Sequence, residues 1–317
     1  SRPTSSPTKP CRDQEARALE QRPFRQEVRG PCKIESGISE APPKDPNGSH
    51  NRESRLPDQG PKVFYPDKKN DKQVWMLELF SGSGHLSQAC VAEGFRVMAY
   101  DIEYGASCDL LDAKVMKSLM RFIMNHPVVL VWMGMPCQSW SRARKWDGGP
   151  PPLRNNTTEL MGRKDVSEAD KQKIELGNRL LHQTHWLCAK LSAHNIPWVV
   201  ENPATSRCWL TAEFQSLMSQ GARLLKVDFC QYHVPWRKRT ALLASGFLHL
   251  DDCLQLCATQ HGRCSATHKR HLILSGKDAT NTWLTLRAQP YPRALCSAIA
   301  CSMARAHNDC GIREAWA

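Results

Sequence analysis

Six short apolar runs punctuate the chain after residue 73. "VWMLELF" (74–80), "FRVMAYD" (95–101), "PVVLVWM" (127–133), "PWVVEN" (197–202), "RLLKVDF" (223–229) and "TALLAS" (240–245) have strand length and are rich in β-branched and aromatic residues. Longer amphipathic stretches separate them. "HLSQACVAE" stops at Gly94, "AKVMKSLMRFIMNH" stops before Pro127, and "KIELGNRLLHQTHWLCAKLSAHN" stops before Pro197, which predicts three helices. Strands alternating with helices predict an α/β fold built on a doubly wound, mostly parallel sheet. Such sheets bind ligands beyond the carboxyl ends of their strands.

Residues 1–72 carry neither a period of 2 nor one of 3.6, and they hold 11 of the 21 prolines. Few large apolar side chains are available there to offset the entropy of ordering, so this stretch is expected to be a disordered, basic, Pro-rich leader. The folded domain then spans 73–310. Lys and Arg number 43 against 31 Asp and Glu, and the residues after 72 retain 28 basic against 20 acidic side chains. An excess of that sign favours a polyanionic partner, nucleic acid above all. The 14 cysteines are irregularly spaced, the amino-terminal stretch has no apolar core for a signal peptide, and no apolar run approaches the roughly 20 residues needed to span a bilayer. These features predict a reduced, intracellular protein, nuclear in a eukaryote, with no membrane partner.

The first predicted strand runs into "ELFSGSGHLSQA". Gly82 and Gly84 permit a tight turn that brings backbone amides close to an anionic ligand at a helix start. Asp101 ends the second strand, placed to accept hydrogen bonds from a ribose, and Asp109 follows in "SCDLLD". A glycine loop with an acid at the end of strand two suggests a nucleoside-bearing cofactor; a plain strand-to-helix turn is the alternative. For a nicotinamide cofactor the third glycine of the fingerprint is missing, since Ser87 stands there.

"GMPCQSWS" (134–141) follows the third predicted strand, which puts Cys137 on the same sheet edge in a loop stiffened by Pro136. A thiol there is either one more inert buried cysteine or a nucleophile, whose ionisation needs nearby positive charge; Arg142, Arg144 and Lys145 follow in sequence. "PWVVEN" delivers Glu201 and Asn202 to that edge. A thiol with a neighbouring carboxyl group is equipped to add to a cytosine ring: sulfur attacks carbon 6, the acid serves ring nitrogen 3, and carbon 5 becomes nucleophilic enough to accept a methyl group.

In these residues the chain resembles the cytosine-5 DNA methyltransferase family. "LELFSGSGHLS" resembles its methionine-and-glycine-loop motif, "GMPCQSWS" its Pro-Cys motif, "VVENP" its Glu-Asn motif and "YHVPWRKRT" its strand-borne arginine pair; "AQPYPRALCSAIACSMARAH" resembles the family's last segment, whose helix packs back on the cofactor pocket. The resemblance covers roughly residues 73–308. It implies a Rossmann-like methyltransferase sheet, S-adenosylmethionine as cofactor, Cys137 as nucleophile, Glu201 at ring nitrogen 3, and Arg237 and Arg239 as supports for a flipped cytosine. It further implies a cofactor site at Phe80, Ser81, Gly82, Gly84, Asp101, Ile102, Asp109 and Pro136, and contacts to nucleic acid from Gln138 and Ser139. Met135, Pro203 and Trp236 depart from the family's usual residues, and the overall pattern is similar to methyltransferase domains of unicellular algae and their retroelements.

Only about 45 residues, 246–290, stand where the family inserts a target-recognition lobe. By contrast, 142–173 is long and polar: either a loop that closes over DNA, with Arg142, Arg144, Lys145 and Arg154 on phosphates, or a solvated surface insertion. Cys253, Cys257, Cys264, His268 and His271 cluster in the short recognition region and offer enough ligands for zinc, although their spacing matches no firm zinc signature. The function expected is methyl transfer from S-adenosylmethionine to carbon 5 of cytosine in DNA. RNA methylation, a nucleic-acid-binding module of a mobile element without turnover, and a nicotinamide oxidoreductase are the alternatives.

Overall fold

The computed structural model describes residues 58–144, 151–246, 249–259, 261–277 and 279–309. Lys145 and most of the expected leader lie outside them. In chain order the elements are β1 (Lys62–Phe64), β2 (Trp75–Leu79), α1 (His85–Ala92), β3 (Arg96–Tyr100), α2 (Ala113–Asn125), β4 (Val128–Met133), α3 (Glu168–Ala193), β5 (Trp198–Pro203), α4 (Ala212–Ser219), β6 (Arg223–Asp228), β7 (Arg239–Ala244) and α5 (Arg293–Asp309).

The seven strands form one sheet in the order β1-β3-β2-β4-β5-β7-β6. β2, β3, β4 and β5 are parallel, whereas β1 and β7 run against their neighbours. All six apolar runs became strands, because a sheet covered on both faces buries every residue of a central strand: β2 and β4 are buried throughout. Alternate side chains feed two cores. Trp75, Leu77 and Leu79 face one with Met116, Leu119 and Ile123 of α2 and Leu187 and Leu191 of α3. Met76, Val97 and Leu130 face the other with Leu86 and Cys90 of α1 and Ile299 and Met303 of α5.

Three boundaries differ from the sequence expectation. The described residues begin within the stretch expected to be leader, and 58–72 are built into the fold: β1 adds to the edge of β3, Asp58 accepts hydrogen bonds from the Ser107 backbone and hydroxyl, and Asp71 pairs with Arg96 at 2.7 Å. Three residues are too few to display a period, so β1 leaves no hydrophobic pattern. α3 begins at Glu168 rather than 173, where Ser167 accepts from the Asp170 N–H and two acids occupy the first turn. The eight-residue α4 was not foreseen.

Glu78 of β2 is a carboxyl group inside a strand that is buried along its whole length. It is buried on the α1 side and accepts hydrogen bonds from the backbone N–H and hydroxyl of Ser87. Burial outweighs those bonds and raises its pKa to about 7. A raised pKa means that the folded state holds a proton the unfolded state has already lost, so stability is greatest in acid and declines as pH rises to 7. Between pH 4.5 and 7.5 the wild type is expected to lose roughly 3 kcal/mol relative to Glu78→Gln, measured by denaturant unfolding across pH.

Candidate active site

The register of the sheet places the candidate residues in one row. Leu79 pairs with Tyr100 on one side and Met133 on the other, and Met133 pairs with Val200. One residue further along, Phe80, Asp101, Gly134 and Glu201 therefore emerge together at the carboxyl edge. β2 and β4 are also where the winding direction of the sheet reverses, which opens a crevice between the loops that follow them.

The loop after β2 is left-handed at Phe80, Gly82 and Gly84, with φ of 58°, 49° and 66°. A side chain would be strained at both glycines, and nothing lies within 4 Å of where their Cβ atoms would be, so bare backbone faces open space. Asp101 secures this loop: Oδ2 accepts from the Gly82 N–H at 2.8 Å and Oδ1 from the Glu103 N–H at 3.0 Å. Ile102 beside it is 59% exposed. Ser81 is buried and shares a hydrogen bond with the Tyr104 hydroxyl, while Asp109 accepts from the Leu111 N–H. Ser81 thus braces the loop and Asp109 caps its own turn, whereas the glycines, Asp101 and Ile102 are together at the carboxyl edge.

Cys137 follows β4 in a turn whose carbonyl accepts from the Trp140 and Ser141 N–H groups. Burial pushes its thiol pKa up, Glu201 pushes it the same way, and Lys238 opposes both. This corrects the expected source of positive charge. Arg144 is paired with Asp170 at 3.1 Å, Arg142 is exposed, Lys145 lies outside the described residues, and among those described the cation acting on the thiol is Lys238.

Arg154 also departs from expectation. It is 1% exposed and lies 3.4 Å over the Trp140 ring. It donates to Ser139 O, Leu160 O, Asn178 Oδ1, Ser139 Oγ and Ile174 O. No donor remains for a phosphate, and Ser139 is occupied as well; Gln138 is exposed. The polar stretch is therefore neither a lid at this point nor a solvated insertion, because Arg154 fastens it to α3 and to the Cys137 turn. Gly177 makes the fit possible, since a Cβ there would lie 2.2 Å from Ser139 Oγ.

Glu201 is buried and coupled electrostatically to Cys137. Oε2 accepts from the Tyr291 hydroxyl at 3.2 Å, and Lys238 Nζ lies 3.7 Å from Oε1, which makes no hydrogen bond. Tyr291 itself accepts from Trp132 Nε1, and its carbonyl meets His85 Nδ1 at 2.8 Å. Asn202 donates to Met135 O at 2.7 Å and so ties the strand of Glu201 to the loop of Cys137. The result is a half-buried thiol in the loop after β4 and a buried carboxyl group on β5 with one oxygen that makes no hydrogen bond.

Arg237 and Arg239 are not at this carboxyl group. Both grip Asp228, a fully buried side chain: Arg239 Nη2 at 2.6 Å and Arg237 Nε at 3.3 Å. Residues alternate in facing along an extended segment, so the two arginines go one way and Lys238 the other. The alternation of "RKR" was the signal available in the sequence.

The cysteine and histidine cluster exists in altered membership. Sγ of Cys230, Cys257 and Cys264 and a ring nitrogen of His271 lie within 4.8 Å of one another. Cys253 instead donates to Leu250 O, and His268 is exposed. Cys230 is 27 residues before Cys257, which hid it from a reading of local spacing. No helix among the described residues is long and apolar enough to cross a membrane. No protein-family model and no curated protein matches the chain.

Proposed function

We propose that the chain transfers a methyl group from S-adenosylmethionine to carbon 5 of cytosine in DNA. The observation that carries this reading is half-buried Cys137, in the loop after β4, beside buried Glu201 on the neighbouring strand β5, with Oε1 of the acid making no hydrogen bond and lying beside Lys238. A buried oxygen that accepts no hydrogen bond is costly, and a base offering N–H groups would satisfy it.

The residues also fit the cofactor. The left-handed glycines leave bare backbone that a ligand can approach closely, the Asp101 carboxylate retains acceptor capacity beyond its two loop bonds, and exposed Ile102 offers an apolar face to a purine. S-adenosylmethionine would supply the electrophilic methyl group. In this chain Cys137 sulfur would bond carbon 6 of a base taken out of the stack, its proton passing to solvent, while Glu201 holds the ring edge. Lys238 favours the thiolate, and Tyr291 fixes the carboxyl rotamer. The basic excess of the chain suits a polyanion, and DNA is the substrate proposed; RNA is the competing one.

Labelled cofactor incubated with the full chain and either DNA or RNA tests the reading. Label is expected at carbon 5 of cytosine in DNA; no transfer to either polymer sinks the proposal, and transfer to RNA alone replaces the substrate. Asp101→Ala is expected to weaken S-adenosylmethionine and its demethylated product alike, by roughly 10- to 100-fold in calorimetry, through loss of charged hydrogen bonds.

A further inference from the structure

The geometry points to a structural zinc ion bound by Cys230, Cys257, Cys264 and His271, clamping the segment after β7 onto the end of β6. The site stands apart from the catalytic reading and does not depend on it. Cys230 lies in the 3₁₀ turn Phe229–Tyr232 that follows β6; the other three come from the segment after β7.

Distances fit one ion. Zn–S bonds of about 2.3 Å and Zn–N bonds of about 2.0 Å at tetrahedral angles set ligand separations of roughly 3.5–3.8 Å. Cys257 Sγ is 3.9 Å from Cys264 Sγ and 3.7 Å from His271 Nε2. Such sulfurs are far too distant for a disulfide. Three thiolates and an imidazole form a closed, borderline-soft set that suits zinc over magnesium or calcium. The three thiols release their protons to solvent as the ion binds.

Hydrogen-bond donors already surround the sulfurs. Gln231 Nε2 donates toward Cys230 Sγ at 3.4 Å and Cys264 Sγ at 3.6 Å, and Ser265 Oγ toward Cys257 Sγ at 3.7 Å. Donors aimed at sulfur stabilise bound thiolates and orient them. The loop between Cys264 and His271 is a tight knuckle: the Cys264 N–H donates to Lys269 O, and the His268 N–H returns to Cys264 O.

The segment needs such a clamp. A core cluster here consists of Cys230, Cys257 and Cys264 alone, while Leu256, Leu272 and Ile273 are exposed at 50%, 46% and 78%. Apolar burial cannot hold this stretch, so the ion supplies what the missing core does not. The clamp also reaches the arginine pair. The Cys257 N–H donates to Asp228 Oδ2 at 2.8 Å, and Asp228 holds Arg237 and Arg239.

Metal content of the purified full chain should show one zinc per molecule, and cobalt substitution should give the visible absorption of a tetrahedral thiolate site. Cys230→Ala and Cys264→Ala should each lose the ion and make 257–271 at least tenfold more sensitive to protease, whereas Cys253→Ala should keep both properties. His271→Cys should retain the ion with a shifted cobalt spectrum, which guards against a variant that merely misfolds. Absence of stoichiometric metal after zinc supplementation overturns the proposal. So does zinc retained in Cys230→Ala or lost in Cys253→Ala.

Discussion

Cys137→Ser is expected to leave no covalent adduct on DNA containing 5-fluorocytosine, where wild-type protein accumulates one. In the proposed reaction the sulfur bonds carbon 6 and carbon 5 takes the methyl group; release then requires loss of a proton from carbon 5, and fluorine in its place leaves the adduct intact. A serine hydroxyl is scarcely ionised at neutral pH and is a far poorer nucleophile. The substitution barely changes side-chain volume, so folding should persist. Glu201→Gln should slow adduct formation by roughly 10²- to 10⁴-fold, since the amide holds the ring edge but cannot protonate it. The thiol pKa lies above its ordinary value, so wild-type adduct formation should quicken about tenfold per pH unit through neutrality. Lys238→Met removes the opposing cation and should slow it further. Mass spectrometry of the trapped species decides: methylation of ordinary DNA with an adduct on another cysteine would refute the role of Cys137.

Arg154→Ala should be the most destabilising single change within the polar stretch, at roughly 3–5 kcal/mol or about 10 °C in Tm. Five acceptors lose their donor, two of them on Ser139, and the Trp140 face loses its stacked cation. Because Ser139 is two residues from Cys137, methyl transfer should fall as well. The salt dependence of DNA binding should not change, whereas a phosphate contact would reduce its slope by about one. Thermal unfolding together with a salt titration separates the two roles.

The central strands were legible because a doubly covered sheet writes continuous apolar runs, and their loops carried Gly82, Cys137 and Glu201 to one edge, as strand order requires. Contacts across the fold were not legible. Tyr291 reaches Glu201 from 90 residues away, and Cys230 joins ligands beyond β7. Arg154 looked solvated because a charged residue in a polar stretch usually is; a cation buried on a tryptophan beside a helix glycine shows only in three dimensions. Gly177 was the trace it left, since a glycine in mid-helix costs about 1 kcal/mol unless something packs against it.

Tyr291 sets an order of assembly. Every strand of the sheet is synthesised before it, so a nascent chain paused at β7 can hold Cys137 and Glu201 on neighbouring strands while the carboxyl rotamer is still unset. α5 must then cover the face presented by α1, and the same docking event brings the tyrosine hydroxyl to Glu201. Under the proposed function, competence would be timed to the closing of the second core, and a chain lacking residues 291–309 would be a sheet with Cys137 in place and Glu201 unaimed.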